Sequence, residues 1–289
     1  MTDFIVHIGI EKTGTSTLQS HFFSHLPNYL GISKNRHCLS NSNYELRWFF
    51  NLFKKFVHGM NINQESSQFC HHIRSLQKSK GSPNNSIVLS YEQLCTPVLN
   101  NVLSFPFLQY NEYDFTTFPI IRFLNYLSNY IWSYGHFRVL LTFRRQDELL
   151  ASLYSQMSNR ICRASQGDFE KRLDKYINYG GVYIDWSKWI DELYHVFSHD
   201  SICLLFMEDM STYKFWQDLS AFIGETTFSE EDLSRLTSMV KNRRRLSSDT
   251  WEIRPLKDIT RHTLKRKWPA SHDSYVRSLS FATASCIDT

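Results

Sequence analysis

The sequence predicts an α/β fold, a three-layer domain with a central parallel sheet flanked by helices. Two observations carry this. Four short apolar runs, at 4–10, 87–90, 138–143 and 201–206, are continuous rather than alternating, as strands covered on both faces must be. Between them lie segments whose apolar residues recur with helical spacing, and strands alternating with helices specify a layered α/β architecture.

Each element follows from its residues. The run at 4–10 passes directly into a loop rich in glycine and hydroxyls. Segment 147–160 sets Leu149, Leu150, Leu153 and Met157 on one stripe and opens with acidic residues, which favour a helix N-terminus. Segments 125–132, 186–196 and 215–223 share that period. Residues 35–83 are polar and histidine-bearing, with a helical patch at 44–56; they read as a helical insertion on the acceptor side. From 229 to 289 the chain turns charged and helical, a C-terminal cap on a single domain spanning 1–289.

Composition narrows the class. With 289 residues, 42% hydrophobic and 21% charged, the chain can bury one large core. A net charge of +4 is too weak to imply nucleic acid, yet suits a protein that holds an anionic small ligand. The six cysteines form no CxxC pair and no disulfide framework. Cys70, His71 and His72 are adjacent, and neighbours in sequence do not converge on one ion, so no metal is expected. No apolar run reaches the roughly 18–20 residues that span a bilayer, and no signal-peptide pattern opens the chain. The expectation is a soluble, cytoplasmic protein.

The chemistry is concentrated after the first strand. Gly9 and Gly14 permit a tight turn, Thr13, Thr15, Ser16 and Thr17 add hydroxyl donors, and Lys12 adds a full positive charge. Strand, glycine loop and helix start together make a P-loop-like anion cradle. A Walker A loop places lysine directly after its second glycine. Here Thr15 holds that place, and the lysine precedes Gly14 by two residues. That displacement moves the charge inward, away from the outer phosphates of a nucleoside triphosphate.

The string Lys12-Thr13-Gly14-Thr15-Ser16-Thr17, preceded by His7-Ile8-Gly9 and followed by Leu18-Gln19, resembles the 5′-phosphosulfate loop of sulfotransferases that use 3′-phosphoadenosine 5′-phosphosulfate (PAPS). It is closest in motif to carbohydrate sulfotransferases of bacterial type. The resemblance implies PAPS as sulfuryl donor with PAP as product, no required metal, and a hydroxyl acceptor, a carbohydrate such as a polysaccharide or glycolipid.

A second motif follows the third apolar run. Arg144 closes that strand and Ser152 lies eight residues on. Arginine's planar fork matches phosphate oxygens, and ligands of open α/β sheets bind beyond the carboxyl ends of strands. In the family resembled, this pair holds the donor's 3′-phosphate; Arg145 is the off-register competitor. A softer match is the basic run Arg243-Arg244-Arg245, with Arg244 as the representative donor contact. A further basic cluster runs from Arg261 to Lys267.

Transfer at sulfur needs charge stabilisation on the departing phosphate, which Lys12 supplies, and a base for the acceptor hydroxyl. Glu92, just past the second strand, is the first candidate base; His21 and Glu11 are the alternatives. His7, inside the first strand, reads as a packed core histidine. Two other functions stay open. Glu208-Asp209, after the fourth strand, resembles a Walker B pair, which would suit an Mg-ATP phosphotransferase. A non-catalytic nucleotide- or glycan-binding protein of the same fold is the third.

Overall fold

The computed structural model describes residues 3–9, 13–31, 44–79, 86–91, 94, 118–131, 136–158, 161, 163–178, 185–224 and 228–239. Five strands form one wholly parallel sheet: β1 (Phe4–Gly9), β2 (Tyr29–Gly31), β3 (Ile87–Ser90), β4 (Phe137–Phe143) and β5 (Ile202–Phe206), in the order β2-β3-β1-β4-β5. Nine α-helices are described: α1 (Thr15–His21), α2 (Tyr44–Val57), α3 (Asn63–Ser79), α4 (Pro119–Ile131), α5 (Gln146–Met157), α6 (Gln166–Asn178), α7 (Trp186–Val196), α8 (Tyr213–Ile223) and α9 (Glu230–Met239). The α/β expectation therefore holds, with helices on both faces of the sheet.

Alternation along β1 sorts the two helical layers. Phe4, Val6 and Ile8 point into a large core with α2, α3, α4, α5 and α7, through residues such as Phe49, Phe69, Phe123, Leu150 and Trp189. Ile5 points the other way, with Val88, Leu140 and Leu205, against Leu18 and Phe22 near α1 and Trp216, Leu219 and Leu236 of α8 and α9. All six residues of β1 are buried, which is why its sequence shows no polar alternation.

Three of the four predicted strands match their runs to within a residue or so, and β3 coincides with its run. Three elements were not expected, among them α6, whose buried apolar residues on its first two turns are Phe169 and Leu173. β2 has three residues at the sheet edge, too few to make an apolar run. α3 carries its buried Phe69, Cys70 and Ile73 on an otherwise polar segment. Within the stretch read as an insertion, α2 and α3 bury Leu46, Phe49, Leu52 and Phe69 completely in the larger core. Residues 240–289, most of the expected cap, lie outside the described residues.

Local chemistry fixes the connections that matter for the site. Thr212 caps α8 by accepting from the Phe215 N–H, and Gly224, at φ 72°, ends that helix in the left-handed conformation. Only Arg144 and Arg145 separate β4 from α5, so the strand end and the helix start are rigidly joined. Among the described residues, no helix is long and apolar enough to cross a membrane.

Candidate active site at the switch point of the sheet

β1 and β4 are neighbours, but their chains leave in different directions. The chain after β1 runs to α1 on the smaller layer, whereas β4 feeds α5 on the larger layer. Adjacent strands whose exits diverge leave a crevice at their carboxyl ends, the usual ligand position in open α/β sheets. The sequence's two principal motifs follow these two neighbouring strands.

The loop's described part is tightly packed. Gly14 has φ 84°, and a β-carbon there would sit 2.5 Å from the Met210 methyl and 2.6 Å from its sulfur. The left-handed backbone therefore demands glycine, and the tip of Met210 occupies the space a β-carbon would take. Gly9 is constrained by space alone, since a β-carbon would meet the Thr15 methyl at 1.8 Å. Thr13 and Thr15 are buried, Thr17 is half-buried and Ser16 is exposed. The Gly14 carbonyl accepts from the Thr17 N–H at 3.0 Å and from the Leu18 N–H at 3.1 Å, which starts α1 directly at the loop.

Beneath the loop, a chain of neutral polar side chains crosses three strands. Gln19 Nε2 donates to Ser90 Oγ at 3.1 Å. Ser90 Oγ lies 2.7 Å from His7 Nδ1, and His7 Nε2 lies 3.3 Å from Thr142 Oγ1. Thr142 Oγ1 then meets Thr13 Oγ1 at 2.8 Å. The strand register explains the meeting: His7 sits opposite Ser90 on β3, and Gly9 opposite Thr142 on β4. Burial pushes the His7 imidazole down to about 3, so the ring is neutral at physiological pH. His7 is thus a core histidine, as read from sequence, but one wired into the loop.

The second motif runs from the end of β4 into α5. Arg144 lies just past β4, with Nη2 3.5 Å from Glu148 Oε2, and its carbonyl accepts from Trp186 Nε1 at 3.0 Å. Ser152 follows one turn beyond Glu148 and is half-buried. Glu148 and Ser152, four residues apart, share one face of α5, and Arg144, ahead of the helix, meets that face through Glu148. The adjacent Arg145 is the N-cap residue of α5. Its N–H donates to Glu208 Oε1 at 2.8 Å.

That last bond gives the acidic pair after β5 an architectural task. Glu208 ties the turn Met207–Ser211 to the start of α5, and burial raises the Asp209 carboxyl above its ordinary range. The same turn drives Met210 under Gly14. His21 closes α1, roughly 10 Å from the loop at ~1.5 Å rise per residue. Lys12, Glu11, Glu92, Arg243, Arg244, Arg245 and the cluster 261–267 lie outside the described residues. Burial pushes the Cys70 thiol up to about 12, and His72 Nε2 pairs with Glu45 Oε1 at 3.0 Å. Among the described residues, no group of three or more His, Cys, Asp or Glu is placed to hold a metal ion.

Sequence reasoning passed over Ser90, Thr142 and Met210, and gave Gln19 no role beyond its place in the motif. A signal for the first two was present: each is a small hydroxyl at the carboxyl end of an otherwise apolar strand. Met210 carries no such mark, because a buried methionine reads as ordinary core.

Protein-family models and curated proteins both yield no match to this chain. A solved sulfotransferase from Alicyclobacillus acidocaldarius is similar in fold, with a TM-score of 0.45 and 11% identity over 94% of this chain and 96% of that one.

Proposed function

We propose that the chain is a sulfotransferase that moves a sulfuryl group from PAPS to a hydroxyl acceptor, a carbohydrate. One observation carries the reading. The loop containing Thr13 and Gly14 and the segment from Arg144 to Ser152 begin at neighbouring strand ends, β1 and β4, across the switch-point crevice. Two anion-binding elements facing one crevice suit a donor that is phosphorylated at both its 5′ and 3′ positions. The placement of Lys12 before Gly14 favours such a donor over a nucleoside triphosphate. The structural use of Glu208, as acceptor of the Arg145 N–H at the head of α5, also favours this reading over the Mg-ATP alternative.

In this reading Thr13, Gly14, Thr15, Ser16 and Thr17 receive the 5′-phosphosulfate, and Lys12 neutralises the charge that builds on the departing phosphate. Arg144 and Ser152 take the 3′-phosphate, with Arg144 exchanging Glu148 for the ligand. Arg244 is the candidate contact from the later basic run. The S–O bond to the 5′-phosphate breaks as the bond to the acceptor oxygen forms. The acceptor proton passes to Glu92, which follows β3 by two residues. His21, at the far end of α1, is the less suited alternative base.

The test is incubation with labelled PAPS and a panel of glycans, with label transfer read by mass spectrometry. Lys12→Ala should lower the transfer rate by roughly 10²–10³. PAP should bind without magnesium. Unchanged transfer in Lys12→Ala, or binding of Mg-ATP in place of PAP, overturns the proposal.

A further inference from the structure

We propose that Tyr44, Trp48 and the Glu45–His72 pair form a sugar-binding ledge, on which one pyranose ring of a glycan acceptor rests. The inference rests on the sulfotransferase reading above and deepens it by giving the acceptor a place on the chain.

Three rings meet where the first turns of α2 lie against α3. Tyr44 and Trp48, one helical turn apart, have ring centroids 5.6 Å apart. The His72 ring lies 6.2 Å from Tyr44 and 5.8 Å from Trp48. Phe69 of the larger core braces Trp48 edge-on at 5.4 Å, which fixes the indole while leaving it half-buried. Tyr44 is 57% exposed, the most exposed large hydrophobic among the described residues. A single exposed aromatic needs no explanation, but this one continues into two further rings. Beside them Glu45 Oε1 accepts from His72 Nε2 at 3.0 Å. A carboxylate has about four acceptor positions, so the bond to the imidazole leaves room for hydroxyl donors.

The combination selects a ligand class. A pyranose has a face of C–H groups and a rim of hydroxyls. The negative face of an aromatic ring attracts the C–H groups, and a carboxylate accepts from the hydroxyls. A purely apolar partner would strip water from Glu45 and replace it with nothing.

Position ties the ledge to the reaction. Phe50 of α2 packs edge-on at 5.2 Å against Tyr91, the residue that follows β3. Further along α2, Phe56 lies 5.5 Å from Tyr126, in the half of α4 that leads to the amino end of β4. α2 therefore descends from the carboxyl end of the sheet toward its amino end. Tyr44 opens this helix, ~9 Å before Phe50 at ~1.5 Å rise per residue, and so stands at the carboxyl end. The glycine loop leaves β1 at that same end.

Full-length protein carrying Tyr44→Ala or Tyr44→Phe tests the ledge. With whichever panel glycan accepts label from PAPS, Tyr44→Ala should raise the glycan KM about tenfold, while kcat and calorimetric PAP affinity stay within about twofold of wild type. Tyr44→Phe keeps the ring and should restore the wild-type KM. An unchanged KM, or a Tyr44→Phe variant as impaired as Tyr44→Ala, overturns the inference. So does light scattering that shows a wild-type dimer made monomeric by Tyr44→Ala, because the face would then belong to a second copy of the chain. If no label is transferred, the donor reading falls, and the ledge is judged by direct binding to the same glycans immobilised on a surface. Loss of that binding in Tyr44→Ala supports it; equal binding, or none by the wild type, overturns it.

Discussion

The two ends of the sheet treat polarity in opposite ways. At the amino end, Arg138 of β4 pairs with Asp3 at 3.0 Å, donates to the Phe222 and Asp200 carbonyls, and lies 3.8 Å over the Phe222 ring. At the carboxyl end, His7, Ser90, Thr142 and Thr13 are fully buried and neutral. A full charge is kept at the margin, where its partner and a ring face compensate it. Beneath the loop, this buried chain uses only dipoles, which impose direction without leaving a charge to be neutralised, while Arg144 and Glu148 pair farther out. The difference teaches where the fold invests specificity: charge pins the closed end, and oriented dipoles support the open one.

The comparison can be broken hardest at Gly14. Gly14→Val forces a branched side chain into φ 84° and onto Met210. The backbone strain alone is about 1–3 kcal/mol, before any cost of moving the methionine. Chemical denaturation should show that loss, and PAP titration should show binding abolished while Asp3 and Arg138 remain undisturbed.

A smaller effect lies in acid. The His7 ring is held near 3 when folded, against about 6.5 when unfolded. Below pH 6.5 the unfolded chain takes up a proton that the folded chain refuses, so this contribution to stability is complete above 6.5 and is lost as pH falls toward 3. The slope for one such group approaches about 1.4 kcal/mol per pH unit. Urea titrations between pH 6.5 and 4.5 should show a shallower decline for His7→Gln than for the wild type; equal slopes would mean the ring is not the buried neutral group described.

The smallest effect belongs to the other end. Asp3→Asn should cost about 0.5–1 kcal/mol, as partly exposed pairs do, and the difference from wild type should shrink in high salt. Thermal melts at two ionic strengths measure it. A loss as large as that at Gly14 would erase the distinction between the two ends.

Much of this was legible in the sequence because strands buried on both faces announce themselves as unbroken apolar runs. β1, β3, β4 and β5 could be found that way, and Gly14 could be assigned to a turn before its φ angle was known. α7 matched its period because Trp186, Trp189, Ile190 and Leu193 fill one stripe. α6 did not stand out, since Phe169 and Leu173 are the apolar residues buried on its first two turns. The links at the site were illegible for another reason. His7 meets Ser90 across 83 residues and Thr142 across 135, and no local pattern encodes a register between distant strands. Met210 was hidden because its task is to fill space under a glycine, which any core position also does.

Those separations have a kinetic meaning. The chain His7–Ser90–Thr142 closes only when β3, β1 and β4 have all docked in register, and contacts so far apart in sequence are reached late, after loop-closure entropy has been overcome. The nascent chain holds the loop residues early but lacks their support until residue 142 has been made and paired. If the loop holds the donor as proposed, ligand competence arrives together with the completed sheet, and a fragment ending before β4 should bind no PAP, however intact its glycine loop.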